Sequence, residues 1–142
     1  MLKRLLVVAA AASIALTMSY ADQSNNKLVI PVTKTNPTDG KQMYTSYCAP
    51  CHGVDGRGNG PVASSLKTQP TDLTELAKAN HGKYPENHVV AVVRFGTEVR
   101  AHGSAEMPVW GPILGTMSKV NPEEKQLRTT NLSRYLETLQ VK

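Results

Sequence analysis

Apolar residues open the chain as a nearly unbroken run, Leu5 to Leu16, in which Ser13 is the one polar position. The period changes after that. From 22 to 37 the residues are polar or β-branched, Pro31 and Pro37 punctuate them, and no face repeats, so an extended leader with little structure is expected. Gly40, Met43, Tyr44 and Tyr47 then recur at i, i+3, i+4, i+7, which predicts a short helix. Thr38 or Asp39 stands where its cap belongs, and Gln42 follows Asp39 by three, as a capping box requires.

Residues 53–61 hold four glycines and Pro61 and predict a loop. A second short helix is signalled by Pro70, by Thr71 or Asp72 as cap with Glu75 beyond, and by Asn80-His81-Gly82 as its stop. Val89 to Val93 fits a helix or, by β-branched content, a buried strand. Met107-Pro108-Val109-Trp110-Gly111-Pro112 reads as a second constrained loop that excludes regular structure. Asn121, Pro122, Glu123 and Glu124 begin a last helix, whose apolar stripe is Leu132, Tyr135, Leu136 and Leu139.

The opening run changes the picture of the compartment. Lys3 and Arg4 precede it, Ser19 and Ala21 follow at cleavage-site positions, and it is short for a membrane span, which needs about 20 apolar residues. Residues 1–21 are therefore expected to be a cleaved signal peptide and the mature protein to be periplasmic. Retention of the run as an anchor is the alternative. Removal would leave 121 residues, one domain's worth, with 14 Lys and Arg against 11 Asp and Glu. The formal +3 comes without a basic cluster, and nucleic acid is not an expected partner.

The chemistry is concentrated in Cys48-Ala49-Pro50-Cys51-His52. Cysteines three apart at a helix end present both sulfurs to one side, and a histidine immediately after them can reach a metal held there. This C-x-x-C-H spacing reads as covalent attachment of haem c, one per chain, with His52 as an iron ligand. A structural disulfide, a thioredoxin-like redox pair and zinc are the competing readings. A five-residue motif closes too short a loop to stabilise much as a disulfide, the predicted context is helical rather than βαβ, and zinc lacks a second pair of ligands.

The second axial position decides between an electron carrier and an open haem site. Met107 lies 55 residues after His52, directly before Pro108 in a stiff segment, and is the favoured ligand, since Met/His pairs are common in cytochromes c. The alternatives are Met117, Met43, and His102 among the remaining histidines His81, His88 and His102. Trp110 is expected to pack beside the haem.

Gly40, Tyr44, Cys48 to His52, Gly60-Pro61, Met107-Pro108, Leu132 and Tyr135 together resemble a class I monohaem cytochrome c of the bacterial type, over about residues 38–140 of a domain expected at 38–142. The resemblance implies an all-α fold of three to five helices wrapped around one haem, with the first and last helices crossing. It implies a helix over 86–95, and a hydrogen bond from His52 to the Pro61 carbonyl. It also implies a non-enzymatic, monomeric carrier that docks transiently on redox donors and acceptors, membrane complexes among them. Arg57, Lys67, Lys119 and Lys125 could supply charge to such contacts. Stretch 62–106 looks more like bacterial haem domains that also occur inside oxidoreductase complexes, so a subunit of such a complex, or a haem enzyme or sensor with an open sixth site, is the alternative.

Overall fold

A computed structural model describes residues 32–96, 107–117 and 123–141. The expected signal peptide at 1–21, most of the leader, the runner-up ligand His102, Lys119 and the Asn121-Pro122 start of the last helix lie outside the described residues. Among the described residues there are helices and no strand, and no helix is long and apolar enough to cross a membrane.

Helix α1 runs in three consecutive segments: Gly40–Met43, a π-helical turn at Tyr44–Cys48, and Ala49–His52. Asp39 caps it by accepting the Gln42 N–H at 2.8 Å. Only half of the expected capping box forms, because the Gln42 side chain accepts from the Asn36 N–H at 2.7 Å rather than from Asp39. The widened turn ends two residues before Pro50, which has no N–H and whose ring crowds the carbonyl four residues back, so regular α pairing cannot continue through it. The helix thus carries the whole C-x-x-C-H motif and stops at Gly53, whose φ is 80°.

Asp72 accepts the Thr74 N–H and opens a 3₁₀ turn, Leu73–Glu75, which leads into helix α2, Leu76–Ala79. Helix α3 is Glu86–Phe95 and buries Val89 and Val93, spaced i, i+4. The ambiguity between helix and strand is thereby resolved. Helix α4, Trp110–Thr116, corrects the expectation of a loop around Pro108 and Pro112. Pro112 is its third residue, where a backbone N–H has no intrahelical acceptor, so the missing donor removes nothing. Helix α5, Glu123–Thr138, packs on α1, α3 and α4.

Helices α1 and α5 cross at Gly40. A Cβ there would collide with the Asn131 carbonyl and lie 2.9 Å from the Tyr135 Cβ. Tyr44 and Tyr135 flank the crossing with ring centroids 5.3 Å apart. The core comprises Met43, Tyr44, Tyr47, Cys48, Ala49, Val89, Val93, Trp110, Leu114, Leu132 and Leu136, with Tyr135, Leu139, Met107 and Met117 among the residues packed against it.

Residues 32–35, the described end of the leader before its turn, hold no regular secondary structure, yet they are not loose. Thr35 is buried, and Arg128, wholly buried on α5, donates to the Thr35 carbonyl at 2.9 Å and to its hydroxyl at 3.0 Å. Glu124, one turn earlier, neutralises that arginine at 2.6 Å.

Candidate haem site

The last turn of α1 sets two sulfurs and an imidazole in one short stretch of backbone. Cys48 is buried, Cys51 half-buried, and the two are not joined to each other. Burial and the neighbouring Cys51 push the Cys48 thiol up to about 12, and burial raises Cys51 as well. A dithiol redox pair needs an attacking sulfur whose pKa is lowered. These sulfurs have the opposite bias.

His52 is held by a backbone carbonyl, but not the expected one. Its Nδ1 lies 2.9 Å from the Thr71 carbonyl oxygen. Burial lowers its pKa, partly opposed by that hydrogen bond, which favours the neutral ring; a carbonyl can only accept, so Nδ1 carries the proton and Nε2 carries the lone pair.

The expected hydrogen bond from His52 to Pro61 is replaced for a reason visible in the loop. Gly60 and Val62, on either side of Pro61, donate to the carbonyls of Cys51 and Pro50 at 3.0 Å each. Gly60 sits so close that a Cβ would strike the carbonyls of Ala49 and Pro50. Pro61 itself is exposed, and it braces the motif through its neighbours. The 70–72 segment is instead drawn beside the ring, by Leu73 N–H to the Gly56 carbonyl at 2.7 Å and by Gln69 Nε2 to the Gly58 carbonyl at 2.9 Å. Thr71 acts through its backbone, which no residue pattern announces. The one signal is Pro70, which biases the adjacent chain toward extended backbone.

Met107 is half-buried against the core, three residues before Trp110, which begins α4 and is 3% exposed. Trp110 stacks on Tyr47, centroids 5.4 Å apart and planes at 29°. Tyr47 directly precedes Cys48, so this stack joins the motif-bearing helix to the element that follows Met107. The other described methionines have different surroundings. Met43 is wholly buried with Arg128 Nη1 at 3.9 Å from its sulfur, and the Met117 sulfur lies 3.3 Å from the Tyr47 hydroxyl. His81 and His88 are exposed on the surface.

The residues fit haem c: two thiols i, i+3 on one helix end, a neutral imidazole oriented by its far nitrogen, and a glycine turn pressed against the same backbone. When bound, haem c supplies an iron that gains and loses one electron.

The sequence matches the family model of cytochrome c oxidase, cbb3-type, subunit III over residues 35–121, which span the C-x-x-C-H helix and Met107. One subunit of the reducing HAO-like protein complex of Kuenenia stuttgartiensis is similar at 22% identity and a TM-score of 0.43. The similarity covers 77% of this chain and 45% of that one, so this chain spans less than half the length of that relative. No curated protein matches. With the motif on its helix, the crossing at Gly40 and a match across more than half its length, the chain belongs to the c-type cytochrome family that the subunit III model describes.

Proposed function

We propose that the protein is a monohaem electron carrier, with Cys48 and Cys51 holding the haem covalently, His52 and Met107 as axial ligands, and Trp110 packed beside it. The observation that carries this reading is the orientation of His52. A neutral imidazole tied by Nδ1 to the Thr71 carbonyl has one nitrogen left, and its residue directly follows Cys51 on the helix that also carries Cys48.

The chain's own residues then perform three tasks. The Thr71 carbonyl strengthens His52 as a donor. Met107, in the proline-stiffened segment ahead of α4, would hold the iron as its second protein ligand, and a thioether donor would favour the reduced iron. Trp110, Val89, Val93 and Leu114 exclude water, which further disfavours the more highly charged oxidised state. With both axial positions taken by protein no substrate is transformed, and the protein exchanges single electrons with redox proteins that dock briefly. The N-terminal pattern, with 1–21 as signal, supports a periplasmic location. The description of the matched family favours a second reading, the haem c subunit of a larger oxidoreductase complex.

Exposure of the reduced protein to carbon monoxide at neutral pH tests the carrier reading. Slow or no binding is expected, and rapid binding would establish an open iron site.

A further inference from the structure

Tyr47 is 1% exposed and closes the core between two elements. Its ring stacks on Trp110, three residues after Met107, and its backbone leads into Cys48, four residues before His52. The hydroxyl is fixed from the opposite side. It lies 2.5 Å from the Thr33 carbonyl and 2.8 Å from the Thr35 hydroxyl. Arg128 Nη1 donates to the same Thr35 hydroxyl, and Glu124 holds Arg128. Arg128 donates to Thr35, and with the Tyr47 proton on the short bond to the Thr33 carbonyl, Thr35 donates to Tyr47; the Met117 sulfur, 3.3 Å from the same hydroxyl, is a second and weaker acceptor. Each polar group in this buried chain is satisfied, and such chains rigidify what they touch.

We propose that Tyr47 is a positioning residue for the second axial ligand, and that residues 33–35 of the leader and Arg128 on α5 act through it. The leader and α5 hold the hydroxyl, the hydroxyl holds the ring, and the ring holds Trp110 at the head of α4. The segment carrying Met107 thereby keeps its distance from the helix carrying His52. Loss of the hydroxyl bonds leaves the apolar stack but lets it slide, and the thioether leaves the iron more often. This inference rests on Met107 as ligand. Ferric protein without the long-wavelength methionine–iron absorption band would defeat that assignment before any variant is compared.

The test is imidazole binding to the ferric, haem-loaded full chain, because imidazole enters when methionine departs. Tyr47→Phe keeps the ring, and Thr35→Val removes from the leader the hydroxyl that meets both Tyr47 and Arg128. Each is expected to tighten imidazole binding by about three- to tenfold, the scale of one net hydrogen bond, and to weaken the methionine–iron band. The double variant is expected to show no more than the larger single effect, since both act on one chain. Unchanged imidazole affinity in the variants, even with a lowered melting temperature, overturns the proposal, as does full additivity of the two. If Tyr47→Phe does not fold, Thr35→Val alone decides the matter by the same affinity.

Discussion

The Nδ1 atom of His52 lies 2.9 Å from the carbonyl oxygen of Thr71, nineteen residues away in sequence. The turn that supplies this carbonyl is locked by the next residue. Asp72 accepts both the N–H and the hydroxyl of Thr74, at 2.8 and 2.7 Å.

Asp72→Ala removes that cap and is expected to destabilise the protein by about 1 kcal/mol in denaturant titration. The Thr74 hydroxyl, followed by its N–H, keeps the Asp72 carboxyl below the ordinary carboxylate range. A carboxyl with a depressed folded pKa stabilises above its unfolded value, near 3.9, and loses that contribution as the pH falls further. The difference between the wild type and Asp72→Ala should therefore shrink below about pH 4.

Gly40→Ala tests the helix crossing. Alanine is the better helix former by up to about 1 kcal/mol, but its methyl meets the Asn131 carbonyl and the Tyr135 Cβ. Overpacking of this kind costs about 1–3 kcal/mol, and here the obstacle is backbone. A net loss of stability is expected in urea melts, and a gain would contradict the close crossing.

The alkaline limit has a different source. Tyr84 donates to the Ser133 carbonyl at 2.9 Å, and burial pushes its hydroxyl up to about 12. An unfolded tyrosine ionises near 10, so stability is complete below about pH 10 and falls as the pH rises toward the folded value. Tyr44, buried and bonded to the Gly53 carbonyl, shifts in the same direction. Tyr84→Phe should make the decline above about pH 10 shallower without abolishing it, as read from denaturation midpoints across that range.

Met107→Ala should open the iron to carbon monoxide and lower the reduction potential. Met117→Ala should leave the methionine–iron band intact, because the Met117 sulfur is engaged with the Tyr47 hydroxyl. The reverse pattern would move the ligand to Met117.

The apolar face of α1 and the C-x-x-C-H motif were legible in the residues because helical spacing and chemical type coincide there. Other features were hidden for physical reasons. Helix α4 was masked by prolines that break an interior turn but are harmless in a first turn. Arg128 reads as a surface residue, although it lies one turn before Leu132 and one after Glu124 on the buried stripe. That placement was the available sign. Thr35 appeared to belong to a loose leader, since its partners are 12 and 93 residues away. The His52 partner is a backbone atom, which carries no residue signature.

The most direct test of the haem assignment is the spectrum of the exported, denatured protein in alkaline reduced pyridine, taken with its intact mass. One haem c per chain, not extractable by acidic solvent and lost as a covalent adduct when Cys48 and Cys51 are both replaced by Ser, is the predicted result. A colourless polypeptide from cells competent in cytochrome maturation, with both thiols unmodified or joined to each other, would contradict it.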